Sequence, residues 1–523
     1  MTAPLVVVGD VMLDIDLIAE SARLSPEAPV PVLHDPVEHR RPGGAALAAL
    51  LAAAGPRPVV LVAPLATDEA GRQLRRMLAG RLELVALPWG GSTPVKTRLR
   101  VAEHPVARLD RGGDRGLIGP LPERVRAVLA SAAAVLVSDY GRGVTADAEV
   151  RAALTGLSCP LVWDPHPRGA APVPGSALVT PNLAELAGFV AMDAGGSLAA
   201  IRRGAQQLAR QWQAGSVCVT LGSRGAMFCL ADNAPHLVAA AQVAAGDTCG
   251  AGDCFAAAAA AGLADGVLPS EAVALGVAAA GRFVAAGAAA GLRLDPSGAG
   301  VPPAAEHEAA ETETTGAGVP PAAETEAAET AAPQPQAAET AAPQPPAAET
   351  EAAAAGPSRP EAAADPNELD RLLDGVRSRH GVVVATGGCF DLLHAGHIAT
   401  LQAARAAGDC LVVCLNSDAS VRRLKGAQRP LQPAADRARV LAALGCVDAV
   451  VVFEEDTPAA VLRRIRPDIW AKGGDYSGVP LPESAVLAEW GGEAVTVPYL
   501  RGRSTSALVE LARQAELTGG SAL

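Results

Sequence analysis

Short apolar runs alternate with longer Ala- and Leu-rich stretches in the N-terminal part of the chain. The apolar runs lie at Val59 to Val62, Ala134 to Val137, Leu161 to Trp163 and Val217 to Leu221. Continuous apolar strands that alternate with helical stretches are typical of a parallel sheet covered by helices on both faces. The pattern therefore predicts an α/β domain, to which we assign residues 1–295.

The same alternation begins again near residue 382. Apolar runs lie at Val382 to Ala385, Cys410 to Leu415 and Val450 to Phe453, and a helix is predicted from His397 to Ala407. The pattern predicts a second, independent α/β domain over residues 366–523.

Residues 296–365 separate the two domains and consist mainly of Ala, Pro, Glu, Thr and Gln, with no aromatic residue. Such a segment cannot bury a core, so we predict a disordered linker. The segment repeats Gly298 to Glu306 at Gly316 to Glu324, but the repeats have no hydrophobic face on which a solenoid could stack.

The net charge of −13 comes mostly from the linker. Residues 301–364 contain eleven Glu and one Arg, a balance of 11 − 1 = 10 negative charges. The remaining chain is only mildly acidic, and this charge gives no indication of nucleic-acid binding.

The compartment predicted from the sequence is the cytoplasm. Met1 to Pro4 leads directly into the apolar strand Leu5 to Val8, which does not resemble a signal peptide. Gly, Pro or a charge interrupts every apolar run before the roughly 18 residues that a membrane span needs. The nine cysteines include no C-x-x-C pair, as is typical of reduced thiols.

Lysine is rare in this chain. Of the 43 Lys and Arg residues, only three are lysine: Lys96, Lys425 and Lys472. A chain that uses Arg elsewhere is expected to keep Lys where a compact ammonium contacts phosphate. For Lys96, an incidental surface position remains the alternative.

The first candidate site is the small-residue turn Gly246 to Asp253, which precedes the Ala-rich stretch Cys254 to Gly262. A turn that opens a helix directs backbone N–H groups toward an anion. Asp253, at the end of this turn, is then a candidate base beside a bound phosphate. The alternative is an Asp that caps a core helix.

The turn resembles the D-T-x-G-A-G-D signature of the ribokinase-like (PfkB) sugar kinases, and four further segments resemble family elements in the family's order. They are Gly9 to Asp14, Pro42 to Ala46, Thr180 to Glu185 and Thr220 to Gly225. The resemblance implies a ribokinase-like α/β fold with a β lid, ATP as phosphate donor, and dimerisation through the lid. It implies that Asp253 is catalytic and that Asp14, Gly43 and Gly44 bind the sugar. It also implies that Asn182 and Glu185 bind Mg²⁺ indirectly. The residues implied to bind ATP or an anion are Gly250, Ala251, Gly252, Asn182, Glu185, Thr220, Gly222 and Gly225.

Three segments resemble the heptose 7-phosphate kinase half of the bifunctional enzymes of ADP-heptose synthesis: Arg23 to Val32, Ser138 to Gly143 and Arg108 to Asp110. This resemblance implies phosphorylation at the anomeric oxygen and a sugar contact from Asp139. Lys96 and the basic 98–111 region are candidates for binding the 7-phosphate. A solvated edge strand is the alternative.

The sequence departs from the kinase pattern at two positions. Leu47 stands where the family usually has Asn, a ligand of a sugar hydroxyl, and His166 stands where the heptose kinases usually have Lys. Because Leu cannot make that hydrogen bond, the sugar is expected to differ or to bind less well.

The second candidate site is the segment Thr386 to His397, which follows a strand and precedes a helix. Gly388 lets backbone approach phosphate, and His394 and His397 can donate to the same oxygens. A zinc pair and two structural histidines are the alternatives, although further zinc ligands at suitable spacing are missing.

This segment resembles the H-x-G-H signature of the cytidylyltransferase-like superfamily, and so do Asn416 to Asp418, Arg422 to Gly426, Lys472 to Tyr476 and Arg503 to Ser506. The resemblance implies a Rossmann-like nucleotidyltransferase fold. It implies catalysis by His394, His397 and Lys425, and nucleotide binding by Gly388, Phe390, Asp391, Lys472, Gly473, Ser504 and Thr505. The attacking sugar phosphate is already anionic, so no base is needed.

Together these resemblances predict an ATP- and Mg²⁺-dependent enzyme that phosphorylates heptose 7-phosphate and adenylylates heptose 1-phosphate. A separate 7-phosphatase must act between the two steps. One alternative is the same chemistry on another sugar or polyol phosphate, with CTP as a possible donor. The other is a degenerate kinase domain that only binds sugar phosphate.

Overall fold

The computed structural model describes residues 2–292 and 366–497, except 22, 24, 28–29, 102–103, 114–115, 193–196, 232, 242–246, 380 and 475–480. The predicted linker therefore lies outside the described residues, as do the predicted ligands Ser504 and Thr505.

The first domain contains a mostly parallel sheet in the order β13-β12-β11-β10-β9-β8-β1-β4-β5, with β12 antiparallel to its neighbours. Its strands are β1 (Leu5–Gly9), β4 (Val59–Pro64), β5 (Glu83–Leu87), β8 (Ala134–Ser138), β9 (Leu161–Asp164), β10 (Leu178–Val179), β11 (Val217–Thr220), β12 (Ala226–Cys229) and β13 (His236–Val238). Its helices are α1 (Ala45–Ala53), α2 (Glu69–Leu78), α3 (Glu123–Ala130), α4 (Ala148–Leu154), α5 (Leu183–Phe189), α6 (Leu198–Gln211), α7 (Ala251–Ala264), α8 (Pro269–Ala285) and α9 (Ala288–Gly291).

A second, four-stranded sheet forms the predicted lid. Its order is β3 (His34–Gly44), β2 (Val11–Glu20), β6 (Val95–Val101) and β7 (His104–Arg111). Strand β6, which carries Lys96, pairs with β2 on one side and β7 on the other. The edge-strand alternative is therefore wrong for β6, whereas β7, which holds the second half of the basic 98–111 region, is an edge strand of this sheet.

The second domain contains a parallel five-stranded sheet in the order β16-β15-β14-β17-β18. The strands are β14 (Val383–Gly388), β15 (Cys410–Asn416), β16 (Ala449–Phe453), β17 (Ile469–Gly473) and β18 (Glu493–Val497). The helices are α10 (Pro366–Arg377), α11 (Ala395–Ala406), α12 (Asp418–Lys425), α13 (Ala434–Ala442), α14 (Ala459–Ile465) and α15 (Ser484–Leu487). All seven residues of β15 are buried, as expected for a strand covered on both faces.

The main sheet of the first domain and the sheet of the second domain meet edge to edge, because β13 pairs in parallel with β18. The nine strands of the first domain's main sheet and the five strands of the second domain thus form one sheet of fourteen strands, whereas the sequence predicts two independent domains. Such a contact has no local sequence signal, since it joins residues about 260 positions apart.

None of the described helices is long and apolar enough to cross a membrane. All nine cysteines are free thiols.

Candidate active sites

The turn before α7 is built to present backbone to a ligand. Asp247 accepts a hydrogen bond from the Cys249 N–H at 2.9 Å, and Gly250 adopts a left-handed φ of 85° as the N-cap of α7. A Cβ at Gly250 would lie 2.8 Å from Cδ2 of Leu47. Both the backbone conformation and the close packing therefore require glycine here.

Asp253 lies in the first turn of α7, and the residue is only 6% exposed. The Tyr140 hydroxyl lies 2.8 Å from both carboxylate oxygens, and the Ser138 hydroxyl lies 3.5 Å from Oδ1. Burial raises the pKa of Asp253 to about 7, although the hydrogen bond from Tyr140 opposes this rise. Because Gly250 is the N-cap, the helix-capping alternative for Asp253 is wrong, and its carboxylate is free to act as a base near neutral pH.

Asp139 does not join this group. Its carboxylate accepts hydrogen bonds from the Gly141 N–H at 2.7 Å and the Thr145 hydroxyl at 2.8 Å, within its own loop. Alternate residues after a strand share a face, so Ser138 and Tyr140 point to Asp253 while Asp139 points away. Asp139 therefore stabilises its loop, and its contact with the sugar stays a prediction. Tyr140, which the sequence analysis did not assign, is the partner of Asp253.

Asp14 and Lys96 lie opposite each other on paired lid strands, close to Asp253. Asp14 is 5% exposed and makes an ion pair with Arg98 at 3.1 Å. The Lys96 ammonium lies 5.4 Å from the centre of the Tyr140 ring, and burial lowers the pKa of Lys96. The structure thus brings a carboxylate and two cationic side chains to one side of the candidate base.

The diglycine Gly43-Gly44 ends β3 beside Asp14. A Cβ at Gly43 would lie 2.5 Å from Oδ2 of Asp14, and Gly44 has a left-handed φ of 62° at the start of α1. Only glycine leaves room for the Asp14 carboxylate at this point.

A cleft of about 1040 Å³ opens at the N-terminus of α7. Its first-domain lining includes six of the predicted ligands: Asn182, Thr220, Gly222, Gly225, Ala251 and Gly252. The cleft is large enough for a nucleotide, and the first turn of α7 and the 222–225 turn line it.

Asn182 and Glu185 form a capping box at the start of α5. The Glu185 N–H donates to Asn182 Oδ1 and the Asn182 N–H donates to Glu185 Oε2, each at 2.9 Å. Asp164 lies near both Glu185 and Asp253; burial, followed by repulsion from these two carboxylates, raises its pKa well above the usual value. A group of carboxylates that repel each other is a favourable environment for a divalent cation.

The second candidate site lies at the N-terminus of α11. His394 is the N-cap, and its ring stacks on His397 with 3.9 Å between centroids. Burial, with the nearby charges of His394 and Lys425, lowers the pKa of His397 to about 4. Both Nδ1 atoms are buried without a hydrogen-bond partner among the described residues. The pair is therefore neutral at pH 7 and can donate hydrogen bonds to a ligand.

The loop between β14 and α11 is tightly packed. Phe390 has a left-handed φ of 43°, and its ring lies 5.2 Å from the ring of His397. A Cβ at Gly388 would lie 3.2 Å from the Phe390 ring. Gly388 and Phe390 thus fix the position of the histidine pair.

Asp391 holds a neighbouring segment instead of pointing to an open site. Its carboxylate pairs with Arg429 at 2.6 Å and accepts from the backbone N–H groups of Leu431 and Gln432. We therefore assign Asp391 a positioning role, which differs from the nucleotide contact that the sequence predicts.

Arg437 is a positioning residue that the sequence analysis did not assign. Its guanidinium is fully buried and donates to the carbonyl groups of Cys389, Asn416 and Gln432 and to the carboxylate of Asp418. This one side chain ties together the ends of β14 and β15.

The two predicted lysines of the second site differ in their surroundings. Lys425 is exposed at the end of α12, near enough for its charge to act on His397. Lys472, on β17, donates to Glu483 at 2.8 Å. Gly473 packs against α11, because a Cβ there would lie 2.4 Å from the Thr400 hydroxyl.

Comparison with known protein families identifies both domains. Residues 128–291 match the pfkB family of carbohydrate kinases, and residues 385–486 match the cytidylyltransferase-like family. The bifunctional protein HldE of Streptomyces coelicolor is 50% identical over 515 residues, which cover 98% of this chain and 97% of the relative. The bifunctional protein HldE of Azorhizobium caulinodans is 36% identical, with 98% of each chain covered.

Among solved structures, the chain is similar to ribokinase of Arabidopsis thaliana in complex with ribose and ATP. The match covers 54% of this chain and 92% of that one, with 21% identity and a TM-score of 0.44.

Proposed function

This chain belongs to the bifunctional HldE family, and on that premise we propose that its two domains catalyse two separate steps of ADP-heptose synthesis. The first domain is a carbohydrate kinase that phosphorylates heptose 7-phosphate at O1 with ATP. The second is a nucleotidyltransferase that joins heptose 1-phosphate to the adenylyl group of ATP. The buried Asp253 carboxylate, between the anion-binding turn and the Asp14–Lys96 pair, is the observation that carries the kinase assignment.

In the kinase step, Asp253 accepts the proton of the sugar 1-hydroxyl. The O1 oxygen then bonds to the γ-phosphorus, the bond from that phosphorus to the β–γ bridging oxygen breaks, and ADP leaves. A pKa of about 7 leaves a substantial fraction of Asp253 ionised at neutral pH. The N-terminus of α7 stabilises the negative charge on the transferred group, and Asp14 orients the sugar hydroxyls.

Magnesium fits beside Asp164, whose carboxylate is repelled by the carboxylates of Glu185 and Asp253. No group of three or more His, Cys, Asp or Glu side chains in the described ranges could hold a metal ion directly. Asn182 and Glu185 would therefore hold the ion indirectly, through water and nucleotide phosphates, as is usual for Mg²⁺. When bound, the ion neutralises charge on the ATP phosphates.

In the second step, a phosphate oxygen of heptose 1-phosphate bonds to the α-phosphorus of ATP, and pyrophosphate leaves. The neutral His394 and His397 donate hydrogen bonds to the phosphate oxygens on which charge develops. Lys425 and Lys472 supply positive charge, and Gly388 and Gly473 allow close approach of the nucleotide. We also assign Ser504 and Thr505, outside the described residues, to the nucleotide.

The product of the first step, a 1,7-bisphosphate, is not the substrate of the second. A hydrolytic reaction at the 7-phosphate must intervene, and the described residues form only the two domains above. We therefore assign that reaction to a separate phosphatase.

Two other functions remain as candidates. Leu47, in place of the family's Asn, favours a different sugar or polyol phosphate, or a kinase domain that binds without turnover. The buried Asp253 with its Tyr140 hydrogen bond supports turnover, because a binding protein has no need for a base of raised pKa.

We also propose that the enzyme is a cytoplasmic homodimer. The nine free thiols support a reducing compartment. The outer strands of the lid expose Val37 (55%) and Leu109 (41%), apolar side chains that a second lid could cover.

The function is tested by assaying each half-reaction on a panel of sugar phosphates. ADP release should depend on heptose 7-phosphate, and pyrophosphate release with ATP should depend on heptose 1-phosphate. Preference for another sugar phosphate, or for CTP, would favour the first alternative. Tight binding of heptose 7-phosphate with no ADP release would favour the second.

A further inference from the structure

The two domains share a built interface at the edges of their sheets. The Thr496 N–H donates to the Pro235 carbonyl at 3.0 Å, and the Thr496 hydroxyl shares a hydrogen bond with the His236 ring at 3.0 Å. Ala234 of the first domain packs against the core of the second. The contact therefore combines backbone pairing, side-chain hydrogen bonding and apolar packing.

An ion pair crosses the same interface. Arg202 of α6 lies 2.9 Å from Glu493 at the start of β18, and the Glu493 side chain is only 8% exposed. Burial raises the pKa of Glu493, and the charge of Arg202 opposes that rise. A carboxylate this buried needs its cationic partner, so the pair specifies how the domains dock.

The docked second domain reaches the nucleotide cleft of the first. Besides the kinase residues, the cleft is lined by Val382 and by the 406–409 turn, which joins α11 to β15. Asp409 holds this wall together, because its carboxylate accepts from the Val382 N–H at 2.6 Å and its own N–H donates to the Val382 carbonyl at 2.8 Å.

Helix α11 therefore extends from one site to the other. Its first turn carries His397, and its last residue, Ala406, lines the kinase cleft. The helix has 12 residues, so the two ends are roughly 18 Å apart at 1.5 Å per residue.

We propose that the nucleotidyltransferase domain completes the ATP site of the kinase, with the 406–409 turn as one wall of the cleft. The inference rests on the proposed kinase function of that cleft. A nucleotide bound there lies between both domains, so ATP affinity in the kinase reaction depends on the docked second domain. The β13–β18 pairing and the Arg202–Glu493 pair position this wall.

The test is Ala406→Trp in the full-length chain. Ala406 is exposed, so an indole there should fill part of the cleft without disturbing the second domain's core. Ala460→Trp is the matched control, since Ala460 is also exposed and helical but does not line the cleft. Ala406→Trp should raise the kinase KM for ATP by about tenfold or more, and Ala460→Trp should not. Adenylyl transfer should be unchanged in both variants.

An unchanged KM for ATP in Ala406→Trp, beside an active wild type, overturns the inference. A wild type that phosphorylates no sugar phosphate instead rejects the proposed kinase function. If Ala406→Trp loses both activities and has a lowered melting temperature, the variant is misfolded, and charge reversal of the Arg202–Glu493 pair is the deciding test. Arg202→Glu and Glu493→Arg should each raise the KM for ATP, and the double variant should restore the wild-type KM. The inference is also overturned if the single variants have an unchanged KM for ATP, or if the KM of the double variant is as high as that of the single variants.

Discussion

Replacing Tyr140 with Phe removes the hydroxyl that lies 2.8 Å from both oxygens of Asp253. Burial, together with the charge of Asp253, raises the pKa of Tyr140 well above its usual value, so this hydroxyl stays protonated and donates. A hydrogen bond to a charged group contributes about 1.5 to 3 kcal/mol when nothing replaces it. One pKa unit corresponds to about 1.4 kcal/mol, so we expect the pKa of Asp253 to rise by about one unit or more.

The sign of the effect follows from the role of Asp253 as a base. The kinase rate should rise with pH as Asp253 ionises, with a midpoint at about 7 in the wild type. With a midpoint about one unit higher, roughly a tenth of the enzyme would be ionised at pH 7 instead of about half, a loss of about fivefold. The loss should largely disappear at a pH about two units higher, where both proteins are ionised.

The assay is the pH profile of kinase kcat/KM for wild type, Tyr140→Phe and Ser138→Ala. Ser138 lies 3.5 Å from the carboxylate, so its removal should shift the midpoint less. Adenylyl transfer is an internal control, because Asp253 takes no part in it and burial lowers the pKa of His394 and lowers that of His397 to about 4. An unmoved midpoint in the Tyr140→Phe profile would show that this hydroxyl does not lower the pKa of Asp253.

Three further substitutions test separate parts of the account. Asp253→Ala should lower kinase turnover by about 10²-fold or more and leave adenylyl transfer near wild type, and loss of both activities in a folded variant would contradict this independence. His397→Ala should lower adenylyl transfer by about 10²-fold or more and spare the kinase, as steady-state rates of each half-reaction will show. Leu47 is 2% exposed and packs on Gly250, so Leu47→Asn would bury an amide there. This substitution should reduce the free energy of unfolding by about 1 to 3 kcal/mol, as thermal melts will show, and Leu47→Met is the control. A lower KM for heptose 7-phosphate without loss of stability would show instead that position 47 faces the sugar.

Much of the fold could be predicted because its strands are continuous apolar runs. The predicted run Val59 to Val62 lies within β4, and Cys410 to Leu415 lies within β15. The pairing of β13 with β18 could not be predicted, because edge pairing depends on the three-dimensional approach of distant segments and leaves the apolar pattern unchanged.

In the two candidate sites, too, some features could be predicted from the sequence and others could not. Glycine-rich turns at Gly250 and His394 predicted where ligand-binding helix ends would lie, and both precede helices in the structure. Asp139 and Asp391 were predicted from the resemblance to the two families, and in the structure each carboxylate accepts hydrogen bonds from neighbouring backbone. Which way a polar side chain points after a strand depends on alternation and loop geometry, and that is why Tyr140 was missed.

One chain is proposed to catalyse two steps that are not consecutive. Mass spectrometry can identify the products formed from heptose 7-phosphate and excess ATP, with and without an added 7-phosphatase. We expect heptose 1,7-bisphosphate alone in the absence of the phosphatase, and ADP-heptose only in its presence. Formation of ADP-heptose without a phosphatase, or no 1,7-bisphosphate at all, would show that the chain does not work in this way.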